Sequence, residues 1–218
     1  MDLAKEVATS DKRVNAMELK VDRECENILA LYMPVATDLR FVLAAIKTCS
    51  NLEQIGDHAQ QIAKSTMKII KKADIPLIRN FKILKMFDTA MSMLVDAYEA
   101  MENNDSSLAQ KIFKKDDYIN DANKQAANVA AKLLTEKSHN PKIILELFSI
   151  CRKLERIGDL NKNLAEEIIF HLELEAKVLS HKNRKKKSEK VNHFSALYPA
   201  LPFSQHSLFL KTPLILIS

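Results

Sequence analysis

Leu52-Glu53-Gln54-Ile55-Gly56-Asp57 returns 102 positions later as Leu154-Glu155-Arg156-Ile157-Gly158-Asp159. The same offset lays Cys49 on Cys151 and Ala63 on Ala165. A second match precedes the first: Asp11-Lys12-Arg13-Val14-Asn15 recurs as Asp116-Asp117-Tyr118-Ile119-Asn120, at an offset of 105. The three-residue difference falls in the connection between the two segments. The chain is thus built from two copies of one unit, and that duplication sets its architecture.

The two glycines in those motifs, Gly56 and Gly158, are the only ones among 218 residues. Average usage of about 7% would give roughly fifteen. Tight hairpins and phosphate-cradling loops need left-handed backbone positions that glycine supplies. Dinucleotide-binding and P-loop motifs are therefore excluded. The segments between the breaks are long and helix-patterned. Val14, Met17, Val21, Cys25, Ile28 and Tyr32 recur at spacings of three and four, the stripe of an amphipathic helix. Val42, Ile46 and Cys49 form a second line, with Leu52, Ile55, Ala59 and Ile62 beside it. Pro34, Pro76, Pro141 and the polar patch 103–107 mark the breaks. The spacing predicts five helices, over 2–32, 35–72, 76–102, 105–136 and 141–179. The fold class is all-α: two tandem antiparallel helical bundles related by an internal repeat.

The units are not equally complete. The second, residues 76–180, has a whole helix ahead of its DxxIN segment. The first, residues 1–75, has only two helices where a three-helix bundle needs three. An apolar face should then lie open on the first bundle, through an N-terminally truncated reading frame or as a place for a partner's helix. Residues 181–218 differ in kind: a lysine run followed by a proline-containing stretch without acids or period, read as unstructured.

Charge follows the same division. The formal net charge is +5, yet residues 180–218 hold seven Lys/Arg and one acid, which leaves 26 basic and 27 acidic residues in the rest. The basic excess belongs to the tail and lacks aromatic interleaving, so nucleic acid is not an expected partner. The longest apolar run, Phe41–Ile46, is far too short to span a bilayer. Three cysteines without a CxxC pair suggest neither a disulfide framework nor a zinc knuckle, and point to a reducing cytoplasm.

The repeated motif carries the chemistry. Residues four apart share a helix face, so Glu53 and Asp57 stand side by side, as do Glu155 and Asp159. Two carboxylates at the edge of an apolar stripe call for a compensating cation. The partner helix offers Asp11 with Asn15, and Asp116 with Asn120. Four oxygen side chains converging from two helices suit a hard or borderline cation: Mg, Mn, Fe or Ca, with Zn less suited because only His58 stands near. A glycine immediately before each Asp removes a Cβ, which would let the facing helix approach. The competing reading is that Lys153, Arg156 or Lys162 neutralises the acids in ordinary solvated pairs. The methionines at 86, 91, 93 and 101 read as core filling. No Ser/His/Asp grouping and no ExxH pair of the di-iron type is present, so no catalytic residue is assigned.

Residues 28–63, ILALYMPVATDLRFVLAAIKTCSNLEQIGDHAQQIA, together with 154–169, LERIGDLNKNLAEEII, resemble the signature of the PhoU family of phosphate-transport regulators. The resemblance spans roughly residues 1–181. It implies two tandem three-helix bundles. It also implies a cytoplasmic, non-enzymatic regulator of phosphate uptake and of phosphate-starvation signalling, peripheral to the membrane through its partners. Those partners would be the ATPase of a phosphate ABC transporter and a sensor histidine kinase, with a homodimer as a further option. Metal ions are implied at Glu53 and Asp57 with Asp11 and Asn15 opposite, and at Glu155 and Asp159 with Asp116 and Asn120 opposite. Two departures stand out: the leading helix of the first bundle is missing, and His58 becomes Leu160 in the second motif. The alternatives are a di-metal carboxylate enzyme and a purely structural helical scaffold.

Overall fold

The computed structural model of the protein describes residues 2–136 and 139–185, all but the short connections being helical. Six helices follow in order: α1 (Asp2–Tyr32), α2 (Thr37–Ile69), α3 (Ile75–Asn80), α4 (Ile83–Glu102), α5 (Ser106–Glu136) and α6 (Pro141–Lys185). Most of the residue range read as an unstructured tail, from 186 onward, lies outside the described residues.

The helix ends follow local chemistry. Asp74 caps α3 by accepting the Leu77 N–H at 2.8 Å, with Pro76 in the first turn. Asp105 caps α5: its Oδ1 accepts from Ser107 N at 2.9 Å and from Leu108 N at 3.2 Å. Asn140 precedes Pro141 and accepts the Lys142 N–H. Two expectations need correction. The helix predicted over 76–102 is broken at Phe81–Lys82, where Lys82 turns left-handed at φ 55°. No glycine or proline marks the break. It is held by Phe81, whose side chain is wholly buried and whose carbonyl accepts a thiol hydrogen bond from Cys151 at 3.6 Å. The last helix also runs past 179 to Lys185, since no proline stops it before Pro199.

α4, α5 and α6 form a complete three-helix bundle, with α4 packed on both partners. α1 packs chiefly on α2. α2 in turn packs along α6, running antiparallel, as the ion pairs Lys47–Glu167 (2.9 Å) and Lys68–Glu146 (2.8 Å) show. Leu52, Ile55 and Ile69 of α2 enter the same continuous core as Met86, Met93, Ile112, Ile119, Leu147 and Leu154. The second unit thus closes its own core and uses α2 as an extra wall. Met86 and Met93 are core residues, as their spacing suggested.

The open face expected of the first unit is present. Ile112, Ile119, Ala122 and Ala126 of α5 are buried, while their counterparts Val7, Val14, Met17 and Val21 on α1 are only half-buried. On α2, Cys49, Ala59 and Ile62 are half-buried, whereas Cys151, Asn161 and Leu164 on α6 are closed over. Among the described residues, no helix does for the first unit what α4 does for the second.

Candidate functional site

The duplicated motif folds as one geometry built twice. An added Cβ at Gly56 would touch Val14 Cγ1 at 3.4 Å; one at Gly158 would meet Ile119 Cδ1 at 3.2 Å and Asp116 Oδ1 at 3.1 Å. Val14 and Ile119 are the same position of the repeat. Each glycine therefore lies where the facing helix comes into close contact, a reason to keep it mid-helix despite a propensity cost of about 0.8–1 kcal/mol against alanine. The approach brings the acidic pair of α6 toward the Asp/Asn pair of α5.

In the second unit Asp116 is 2% exposed. Its Oδ2 accepts from Asn120 Nδ2 at 3.0 Å and lies 4.0 Å from Lys162 Nζ, while Oδ1 is buried without a hydrogen-bond partner. Burial foremost, then the charge of Asp159, holds this carboxyl above the usual aspartate range. Glu155 is likewise raised, by burial first and Asp159 second. Arg156 partly offsets the cluster, 3.6 Å from Asp159 and 3.9 Å from Glu155. Asp116, Asn120, Glu155 and Asp159 are thus gathered around the α5–α6 contact. The expected neutralisation by lysine or arginine is real but loose: Arg156 is largely exposed, and Lys153 faces Glu146 and Ser149 instead. Asn161, two residues beyond Asp159, is buried and donates to the Ala90 carbonyl at 3.1 Å.

In the first unit Asn15 Oδ1 is buried and unpartnered. The side chain of Asp11 lies outside the described residues. The structure adds two acids that repeat comparison passes over, Glu18 and Asp22. Burial, then Asp22 and Asp57, raises the Glu18 carboxyl. Burial, then Glu18, Asp22, Cys25 and Glu53, pushes the Cys49 thiol up to about 12. At the repeat offset these acids fall on Asn123 and Ala127, so the duplication hides them. Their signal is a different one: with Asn15 they occupy successive turns of one α1 face, at spacings of three and four. His58 has its pKa lowered by burial, with Arg156 and Lys153 of α6 acting in the same direction, so the two motifs face one another across α2 and α6.

The donor chemistry fits a hard cation: carboxylate and amide oxygens, with a buried orphan in each unit, Asn15 Oδ1 and Asp116 Oδ1. The arrangement is a gathering rather than a closed cage. Among the described residues no three His, Cys, Asp or Glu side chains converge tightly enough to hold a metal ion unaided. Nor is any described helix long and apolar enough to cross a membrane.

A family model described as the PhoU domain matches residues 1–66 and again 83–168. The phosphate-specific transport system accessory protein PhoU of Edwardsiella tarda is 32% identical over 171 residues, covering 78% of this chain and 70% of that protein. The protein of the same name from Escherichia coli is 31% identical with the same coverage. The crystal structure of PhoU from Pseudomonas aeruginosa superposes with a TM-score of 0.73 at 29% identity, over 78% of this chain and 81% of that one.

Proposed function

The chain belongs to the PhoU family, and we propose that it is a non-enzymatic regulator of phosphate uptake and phosphate-starvation signalling. It acts in the cytoplasm as a helical adaptor between the ATPase of a phosphate ABC transporter and a sensor histidine kinase. The observation that carries this reading is the double family match to proteins named as accessories of phosphate transport, lying on the two copies of one helix pair. A module that repeats an interaction surface, with no nucleophile–base pair in either copy, suits binding better than turnover.

We further propose that metal ions bind at the oxygen clusters. Asp116 and Asn120 from α5, with Glu155 and Asp159 from α6, form the second site; Asn15 and Asp11 from α1, with Glu53 and Asp57 from α2, form the first. Such an ion supplies positive charge. The protein's own residues set the helix register: Gly158 admits α5, and Asp116 presents a buried oxygen that nothing else satisfies. The scaffold reading keeps two specific supports, Arg156 beside Glu155 and Asp159 and Lys162 at 4.0 Å from Asp116.

Elemental analysis of the purified protein beside a Glu155→Ala/Asp159→Ala variant tests the metal sites. Metal in the parent and less in the variant is expected; none in either sinks the sites and leaves the adaptor reading standing. Co-purification with the transporter ATPase tests the adaptor separately. Absence of any complex, with the protein folded by circular dichroism, would overturn it.

A further inference from the structure

The near-balance of charge ahead of residue 180 hides one uneven stretch. Residues 64–85, KSTMKIIKKADIPLIRNFKILK, hold seven Lys/Arg and one acid, against nineteen basic and twenty-six acidic residues in the rest of 1–179. They join the two units: the end of α2, the corner 70–74, α3 and the first turn of α4. Leu77 and Phe81 anchor this connection in the core, and all seven cations are exposed. Among the described residues only Lys68 of the seven has a carboxylate within 4.0 Å, Glu146 of α6 at 2.8 Å. Lys64 bonds the Gln60 amide, Lys82 bonds Gln125 of α5, and Lys85 stands over the Tyr118 ring, all neutral partners. Asp74, the acid of the stretch, caps α3 through the Leu77 N–H. Neighbouring elements do not cancel the excess. On α5, Lys124 pairs with Asp121 and Lys132 with Glu136. The start of α1 lies beside α2, and its exposed Lys5 and Glu6 offset each other. α6 adds Lys142 and also Lys153, which stands near Glu146 and Lys68. Asp88 follows Lys85 by one turn, and Asp117 precedes Tyr118; both are exposed acids at the α4 end of the strip. The unopposed charge therefore centres on Lys71, Lys72 and Arg79. Aliphatic side chains stand among these cations: Ile70 is 49% exposed, Ile75 66% and Leu84 65%.

We propose that this connection is a docking surface for an anionic lipid bilayer, with Lys71, Lys72 and Arg79 on lipid phosphates and Ile70 and Ile75 at the acyl boundary. Cations beside protruding aliphatic side chains are what an interfacial surface needs. The charges meet the headgroups, and the apolar groups enter below them without a preformed groove. The other anionic partners fit less well. Single-stranded nucleic acid asks for exposed aromatic rings to stack on, and the one ring of the stretch, Phe81, is wholly buried. An acidic helix asks for a groove to receive its apolar face, whereas Ile70 and Ile75 stand out from a chain corner. The inference goes beyond the adaptor reading and needs neither of its protein partners.

Co-sedimentation of the full chain with protein-free vesicles tests this. The chain is expected to partition onto phosphatidylcholine vesicles carrying about a quarter phosphatidylglycerol, not onto phosphatidylcholine alone, and less as salt rises. Lys71→Gln/Lys72→Gln/Arg79→Gln should lower the partition coefficient on the order of a hundredfold. Ile70→Ser/Ile75→Ser should lower it about tenfold while leaving its salt dependence as in the parent. All these positions are exposed, so the fold is expected to survive, which circular dichroism checks. Lys12→Gln/Arg13→Gln/Lys20→Gln removes the same net charge from exposed positions of α1 and should change little. Every variant carries the same lysine run after residue 180, so that run does not account for differences among them. No binding of the parent, equal binding to both vesicles, or no loss in the Lys71/Lys72/Arg79 variant would overturn the proposal. An equal loss in the α1 variant would overturn it too. Polyglutamate that binds the parent and not the Lys71/Lys72/Arg79 variant, where vesicles bind neither, would assign the surface to an acidic protein instead. Vesicles hold no transporter or kinase, so failure here leaves the adaptor reading intact.

Discussion

The Cβ-less face of Gly158 stands 3.1 Å, measured from where a Cβ would be, from the buried Oδ1 of Asp116. Gly56 meets only a Val14 methyl, at 3.4 Å. The same substitution should therefore have opposite signs in the two copies. Gly56→Ala gains helix propensity at ordinary contact distance and should stabilise the protein by up to ~1 kcal/mol. Gly158→Ala forces apart a carboxylate oxygen and an isoleucine methyl in a packed core. It should destabilise by about 1–3 kcal/mol, read as the shift of the urea midpoint. Equal shifts in the two variants would contradict the close approach.

Asp116 itself separates stability from function. A buried acceptor without a partner costs on the order of 1–3 kcal/mol, and here Lys162 stands 4.0 Å away on the other oxygen. Asp116→Asn keeps the shape and removes the charge. It is expected to raise the thermal midpoint at neutral pH while weakening metal retention at the second site. A lower midpoint together with unchanged metal content would refute the assignment of this residue as a ligand held at a stability cost.

Much of this was legible in the residues. The glycine count gave the fold class, because an all-helical chain has few left-handed turns to fill. The repeat gave the register, because Val14 and Ile119 occupy the position each glycine faces. Features that break the repeat were hidden for the same reason. Glu18 and Asp22 have no acidic counterparts, and the buried Asn161 falls on Ala59. The break at Lys82 depends on Phe81 sinking into the core and on Cys151 bonding its carbonyl, contacts between residues 70 apart that local pattern cannot express.

The seam between the units should depend on acid pH. Glu146 has its pKa lowered below the usual glutamate value, mainly by the hydrogen bond from Lys68, with Ser65 and the charges of Lys68 and Lys153 assisting. A carboxylate whose folded-state pKa is depressed contributes stability that is present above about 4.5 and lost as pH falls through the folded-state value. Lys68 is largely exposed, so the pair is worth only about 0.5 kcal/mol. Glu146→Gln should therefore lower stability by about that amount at pH 7. The gap between variant and parent should close as the pH falls below 4, measured by denaturant titration at each pH. A gap that widens in acid would have the wrong sign for this pair.

The thiols report on the acidic face of α1. Cys25 and Cys151 are buried, and Cys49 is half-buried among Glu18, Asp22 and Glu53. Only the thiolate attacks, and a thiol pushed up to about 12 is almost wholly protonated at pH 8. Its higher basicity returns part of the loss, which leaves a rate about a hundredfold below that of a free cysteine. Native protein treated with a thiol reagent should thus label slowly and at Cys49 first, with Cys25 and Cys151 reacting only on unfolding. Glu18→Gln with Asp22→Asn removes two of the charges that oppose ionisation and should speed Cys49 labelling without changing the unfolding free energy by more than about 1 kcal/mol. Fast labelling in the parent, or no acceleration in the variant, would mean that these acids do not face Cys49.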